Sequence, residues 1–230
     1  MDKKTWLDGK ITLYNGDCIE VMQEMKDGEV DLVLTDPPYC IGTSSNGHKA
    51  SWNDNNLIKP FFKIAIDELS RILKNDKHIY IHTDWRTYSL LFPICLEKFL
   101  IKNCIVWDYG WIKAGNAYRF RHEFIIFGCK GDFIRSFGGG EADVWNIKCV
   151  NFTDKSRFHS AQKPVEIAEK IIKNSSKEND LIFDGFSGSG TTAVACIKTN
   201  RKFIGCELDK KYFDLSCKRI DQELQQLNLF

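Results

Sequence analysis

Two consecutive prolines, Pro37 and Pro38, set the strongest limit on how this 230-residue chain can fold. They follow Leu32-Val33-Leu34, an apolar run that reads as a buried strand. Neither proline can donate to a ladder and each fixes its own φ, so the strand has to stop here. The stop delivers Asp36 and Tyr39 to a sheet edge and leaves the Asp36 and Pro37 carbonyls without sheet partners. An acceptor pair beside a flat ring suits a planar ligand that carries an amino group. The stretch after it, 40–56, is rich in Gly, Ser and Asn without periodicity and reads as a loop.

Elsewhere strands alternate with helices. Ile11–Tyr14, Val30–Thr35, Lys77–His82, Ile101–Trp107, Glu123–Cys129, Leu181–Phe183 and Phe203–Cys206 read as strands, with a weaker one at Val144–Val150. Cys18–Lys26, Leu57–Leu73, Pro164–Asn174, Gly190–Thr199 and Lys210–Leu227 have helical spacing, as does Trp85–Leu100 with an interruption near Pro93. This alternation implies an α/β fold around a parallel sheet, and the length fits one domain over 1–230. A net charge of +1 requires any nucleic-acid face to be local. The nine cysteines are odd in number and form no Cys-x-x-Cys pair, so reduced thiols are expected and a zinc site is not. The opening MDKKTWLDGK is not a secretory signal, and a cytoplasmic location is expected. The apolar run Leu90–Leu96 is too short to span a bilayer.

The second informative segment is Asp184-Gly185-Phe186-Ser187-Gly188-Ser189-Gly190, lying between a strand and a helix. As a phosphate loop it lacks the lysine, since Thr191 stands there. As a dinucleotide fingerprint its glycines come in the order G-x-x-G-x-G instead of G-x-G-x-x-G. Glycines beside carboxylates suit S-adenosylmethionine better, because that molecule has an amino acid end, a ribose and a sulfonium but no phosphate. Glu207 ends the next strand, about twenty residues on, where an acid can accept ribose hydroxyls. Asp184 read alone would serve equally as a helix cap.

Six segments in this order and spacing carry a resemblance. They are Gly16-Asp17-Cys18, Asp36-Pro37-Pro38-Tyr39, Arg121-His122-Glu123, His159 with Gln162-Lys163-Pro164, Phe183–Thr192, and Gly205-Cys206-Glu207-Leu208-Asp209. Over most of Ile11–Ile220 the chain resembles the β group of S-adenosylmethionine-dependent amino-DNA methyltransferases, in which the catalytic motif precedes the cofactor motif. The resemblance implies a Rossmann-like class I methyltransferase fold. Its sheet would be seven-stranded and mostly parallel with helices on both faces, the motif order circularly permuted, and the Asp36 strand beside the Asp184 strand.

It also implies site residues. Asp17 would hold the cofactor's adenine amino group and Glu207 its ribose. Asp184, Gly185, Phe186 and Gly188 would line the methionine end, with Cys18, Ser187, Gly190, Thr191, Leu208 and Lys163 completing the pocket and Asp36 closing it toward the base. Asp36, Pro37, Pro38 and Tyr39 would be the catalytic tetrapeptide, acting on adenine N6 in a flipped base, with cytosine N4 as the alternative. No metal is required. A nicotinamide-dependent reductase is disfavoured by the glycine order, and a silent DNA-binding module by the intact look of both motifs.

Double-stranded DNA is the expected partner, with a second copy of the chain and a cognate restriction endonuclease as further ones. Candidate DNA contacts are His48, Lys49 and Trp52 in the loop, Arg119 and Arg121 before an apolar strand, and Lys155 and Arg157. The last two belong to a basic stretch with Lys148, His159 and Lys163, opposed nearby only by Asp154 and Glu166; a solvated face is the alternative. Target recognition would fall in a short insertion at about 131–158.

Overall fold

The computed structural model describes residues 1–40, 55–112, 118–133, 140–150 and 162–227, with side chains from 58 in the second of these segments. In chain order its elements are β1 (Asp2–Trp6), β2 (Ile11–Asn15), α1 (Cys18–Glu24), β3 (Val30–Thr35), α2 (Asn55–Ile72), β4 (Leu73–Thr83), α3 (Trp85–Leu96), β5 (Leu100–Asp108), β6 (His122–Lys130), β7 (Val144–Asn146), α4 (Val165–Ser175), β8 (Leu181–Asp184), α5 (Thr191–Lys198), β9 (Lys202–Glu207) and α6 (Lys210–Leu227).

The strands form one sheet in the order β1-β2-β9-β8-β3-β4-β6-β5-β7. From β2 to β4 every neighbouring pair is parallel, β6 runs antiparallel to both β4 and β5, and β1 is antiparallel to β2. Strand β3 sits between β8 and β4, with Leu32 opposite Ile182 and Val33 opposite Phe183. The expected seven strands are all present, and β1 and β7 extend the sheet to nine at its edges.

All six residues of β3 are buried, which is why its sequence reads as a continuous apolar run instead of an alternation. Its side chains still alternate between layers. Leu32 and Leu34 pack with Ile167, Ile171 and Ile172 of α4, Ala193 of α5 and Ile220 of α6. Val33 faces the other way, onto Val21 and Met22 of α1, Phe62 and Ile66 of α2 and Leu91 of α3. Helices therefore cover both faces, and each fully buried aliphatic side chain contributes about 1.5–3 kcal/mol.

Three expectations about elements change. Strand β1 has no apolar pattern because it is an edge strand whose residues are mostly exposed, joined to β2 by a turn with positive φ at Leu7, Asp8 and Gly9. Strand β4 begins at Leu73, not Lys77, because a register shift between Val30 and Leu32 lets Leu73 pair with Val30. Pro93 lies inside α3 without ending it; the helix stops at Leu96 and Leu100 already belongs to β5.

Candidate active site

The parallel block fixes where chemistry can occur. Strands β2, β9, β8 and β3 lie side by side with their C-terminal ends at one edge. Asp17, Glu207, Asp184 and Asp36 follow those four ends, and Glu123 enters the same edge from β6, which runs the other way. Adjacent β-α units leave β3 and β8 toward opposite sides of the sheet, which opens a crevice between them.

On one side of the crevice the glycine loop is held by its own chain. Asp184 is buried; its Oδ1 accepts from Thr35 Oγ1 at 3.1 Å and from the Phe186 amide at 3.1 Å, and its Oδ2 from Thr192 Oγ1 at 2.6 Å. Gly190, not Asp184, is the N-cap of α5, at φ +71°, and Gly188 is also left-handed at φ +50°. Ser216 Oγ donates to the Gly188 carbonyl at 2.6 Å and Arg219 Nη1 to the Ser189 carbonyl at 2.8 Å, so α6 fastens the loop from behind. Thr191 Oγ1 donates to the Lys163 carbonyl at 3.1 Å, tying this loop to the segment before α4.

Glu207 accepts from the Gly188 amide at 2.8 Å and the Asp209 amide at 2.9 Å. Burial pushes its carboxyl up to about 7 against those two hydrogen bonds. Burial likewise pushes Asp184 up to about 6, opposed by the donors from Thr192, Phe186 and Thr35. Asp17 caps α1 by accepting from the Ile19 amide at 2.7 Å. The Cys18 thiol is buried in the core below, pushed up to about 12 by burial first and by Asp17 second. Gly185 approaches it closely, since a Cβ there would lie 3.3 Å from Cys18 Cβ. Leu208 is 71% exposed at the crevice rim.

The chemistry of this donor and acceptor set fits S-adenosylmethionine. No lysine or arginine lies between Asp184 and Thr192, so nothing in the loop neutralises a phosphate. Two carboxylates, Asp17 and Glu207, stand where hydroxyl and amino donors would be received, and the Ser187 hydroxyl is buried without a hydrogen-bond partner among the described residues.

Charge dominates the other side. Lys163 Nζ lies 2.9 Å from Asp36 Oδ2 and 2.9 Å from Glu123 Oε2. The Tyr39 hydroxyl is 2.7 Å from Asp36 Oδ1, 3.2 Å from Glu123 Oε2 and 3.1 Å from Lys163 Nζ. Lys163 also sits over the Tyr39 ring, 5.1 Å from its centroid. Burial opposes the lysine charge, but the Asp36 and Glu123 carboxylates outweigh it and hold the ammonium above the ordinary lysine range. Burial, then Asp36 and Glu123, push the Tyr39 phenol well up. Pro37 is buried and Pro38 half-buried. Nearby His82, buried and brought down to about 4 by burial, is neutral at pH 7, and its Nδ1 has no hydrogen-bond partner among the described residues.

The two motifs are therefore brought together as expected, but Lys163 is used differently. It is not part of a solvent-facing basic stretch opposed only by Asp154 and Glu166: its side chain is 12% exposed and is shared between the Asp36 and Glu123 carboxylates. Arg121 pairs with Asp108 at 2.9 Å, and Arg119 is exposed. His48, Lys49, Trp52, Lys155 and Arg157 lie outside the described residues. Glu123 belongs to the Arg121-His122-Glu123 segment of the resemblance, which gives it no role of its own. Its other signal is a lone carboxylate opening the apolar strand Phe124–Cys129, and the structure sets it opposite Trp107 of β5.

A three-layer sheet with a glycine loop at the edge of one central strand and an acceptor motif at the edge of its neighbour defines a class I, Rossmann-like methyltransferase. A family model for N6/N4 DNA methylases matches residues 30–218, and the chain belongs to that family. It is an S-adenosylmethionine-dependent DNA methyltransferase. It is 28% identical to the DNA adenine methyltransferase YhdJ of Escherichia coli, over 91% of this chain and 82% of that one. It is 30% identical to the type II methyltransferase M2.LlaDCHI of Lactococcus lactis, over 91% and 89%. Among solved structures, the M1.HpyAVI complex with S-adenosylmethionine superposes with a TM-score of 0.72 at 25% identity, covering 92% of this chain and 99% of that one. None of the described helices is long and apolar enough to cross a membrane.

Proposed function

We propose that this methyltransferase acts on the exocyclic N6 of adenine in double-stranded DNA, at a specific short sequence, with the base turned out of the duplex into the crevice beside Asp36. The observation that supports it most is the adjacency of β3 and β8, which brings an acceptor motif and a phosphate-free cofactor loop to one edge. Aspartate at the head of the tetrapeptide favours adenine over cytosine, as does the likeness to a relative named as an adenine methyltransferase.

When bound, S-adenosylmethionine supplies an electrophilic methyl group carried on a sulfonium. Asp17 and Glu207 receive its adenine amino group and ribose hydroxyls. Gly185, Phe186, Ser187, Gly188, Gly190 and Thr191 line its methionine end, while Cys18 and Leu208 border the adenine. Asp184 acts mainly by shaping the loop, since three donors from its own chain already occupy it. The Asp36 carboxylate and the Pro37 carbonyl hold the two amino hydrogens of the base, which favours a pyramidal nitrogen and releases its lone pair from the ring. Pro38 keeps that carbonyl out of the ladder, and the Tyr39 ring faces the base. Alignment does most of this work and electrostatics the rest.

His48, Lys49, Trp52, Arg119, Arg121, Lys155 and Arg157 would contact DNA, with recognition at about 131–158 in a single domain. So short a recognition segment fits either a short target sequence or a second copy of the chain that completes the cleft. Likeness to type II methyltransferases supports a cognate endonuclease, and such a reaction belongs in the cytoplasm. The test is incubation with tritiated cofactor and DNA, followed by nucleoside analysis. Label in N6-methyladenine within one sequence context is the expected result. Label in N4-methylcytosine would replace adenine as the target, and no label in DNA would overturn the reading.

A further inference from the structure

We infer that Glu123 is a positioning residue for methyl transfer: acting through Lys163 and Tyr39, it keeps the pocket around Asp36 net negative, so that the carboxylate can serve the amino group of the base. The inference rests on the methyltransferase reading above and deepens it, because the acceptor motif and the cofactor loop do not contain Glu123.

Asp36 has two tasks. It must accept an amino hydrogen while positive charge builds on the attacking nitrogen. A carboxylate neutralised by a lysine of its own is poorly suited to both. In this structure the lysine is shared. Lys163 Nζ is 2.9 Å from Asp36 and 2.9 Å from Glu123, and the Tyr39 hydroxyl bridges the same two carboxylates. Two carboxylates and one ammonium leave one negative charge among these side chains, and neighbouring His82 adds none, being neutral. The cluster is shielded from water, with side-chain exposures of 12% for Lys163, 13% for Glu123 and 25% for Asp36, so the charge acts at short range with little screening.

Glu123 is placed by the sheet and not by a loop. It lies in β6, paired with Trp107 of β5, and reaches the crevice because β6 runs antiparallel to β4. Without its charge, Lys163 would have Asp36 as its one anionic partner here. The acceptor would then be held by the lysine at the moment the base arrives.

The test compares the wild-type protein with Glu123→Gln, Glu123→Asp and the double variant Glu123→Gln/Lys163→Gln. Methyl incorporation into DNA, calorimetric affinity for S-adenosylmethionine and thermal melting are measured on each. Glu123→Gln should lower kcat by about 10- to 100-fold, less than the roughly 100- to 1000-fold of a group touching the transition state because Glu123 acts through Lys163, with KM for DNA and cofactor affinity within about twofold of wild type. Glu123→Asp, which keeps the charge, should recover most of the loss. The double variant restores one negative charge and should turn over faster than Glu123→Gln. It also replaces a buried pair by neutral groups, a change that costs little stability. If Glu123→Gln does not fold, the double variant still decides: turnover within about tenfold of wild type supports the inference, and any larger loss overturns it. Unchanged kcat in Glu123→Gln, a double variant slower than the single one, or equal losses of stability and cofactor affinity in Gln and Asp variants would each overturn it. An active wild type with any of these results defeats this inference alone; a wild type that puts no methyl into DNA defeats the methyltransferase reading and the inference together.

Discussion

The two rims of the crevice are built by opposite means. At the cofactor rim, apart from the Ser187 hydroxyl, buried polar groups are satisfied by hydrogen bonds from the protein's own chain: Asp184 by Thr35, Phe186 and Thr192, the Gly188 and Ser189 carbonyls by Ser216 and Arg219. At the base rim, charged groups are satisfied by one another: Asp36, Glu123 and Lys163, with Tyr39 between them. A rim closed by backbone and hydroxyl donors keeps its shape whether or not a ligand is present. Two ion pairs that share one lysine have to loosen at the Asp36 carboxylate when the substrate enters. Binding and turnover should therefore separate cleanly on mutation, the first following the glycine loop and the second following Asp36.

The largest separation is expected at Asp36. Asp36→Ala should reduce methyl incorporation by about a thousandfold or more while cofactor affinity, measured by calorimetry, changes by no more than about threefold. Near-normal turnover would refute the assignment of the rims.

If Glu207 receives the ribose as proposed, Glu207→Ala should produce the converse, a loss of about 10- to 100-fold in cofactor affinity. Its pH dependence sharpens the contrast. Burial raises Glu207 from 4.5 to about 7, so its contribution to stability is fully present below the ordinary carboxylate range and is lost as pH rises through about 7. A ligand donating hydroxyls to the ionised carboxylate reverses part of that loss. Cofactor affinity should rise with pH up to about 7 and then flatten, and Glu207→Gln should remove the rise apart from a remnant near 6 due to Asp184. A wild-type affinity independent of pH between about 5 and 8 would contradict this account.

Legibility in the sequence differed between the rims in the same way. The cofactor rim depends on local order, a strand, glycines and a helix, and such order is visible in a linear sequence; so is the stop imposed by Pro37 and Pro38. The sheet's parallel core was legible because β3, β8 and β9 are short apolar runs between helices of clear period. What was missed depends on partners remote in sequence. Lys163 reads as a member of a basic stretch and of the segment closing the cofactor pocket, not as the partner of Asp36 and Glu123, which are 127 and 40 positions away. Glu123 reads as part of the Arg121-His122-Glu123 segment without a role of its own. Strand β1 was invisible because an exposed edge carries no apolar alternation, and Pro93 looked like a helix breaker although the packing of Leu91, Ile94 and Cys95 carries α3 past it.

A smaller effect tests how rigid the cofactor rim is. A Cβ on Gly205 would come within 2.3 Å of Phe203 Cζ and 3.2 Å of the Asp184 carbonyl oxygen, and the Phe203 ring is fully buried. Gly205→Ala should therefore destabilise the fold by about 1–3 kcal/mol through overpacking, lowering Tm by roughly 2–4 °C for each kcal/mol. Unchanged melting would mean that the layer beneath the loop yields more easily than its hydrogen bonds suggest.

The smallest effect is expected from Tyr39→Phe. The substitution keeps the ring and removes the hydroxyl that donates to Asp36 at 2.7 Å and accepts from Lys163 at 3.1 Å. The donation to the Asp36 carboxylate is the strongest bond lost, worth about 1.5 kcal/mol for a charged partner, so kcat should fall by about 10-fold and melting by no more than a few degrees. Tyr39→Ala removes the ring as well and should lose at least about another tenfold if the ring stacks on the base. Tyr39→Trp, which keeps an aromatic face, should fall nearer to Phe than to Ala. Equal losses in Phe and Ala would assign the whole effect to the hydroxyl. The base rim would then be an ion-pair network alone, with no aromatic platform for the base.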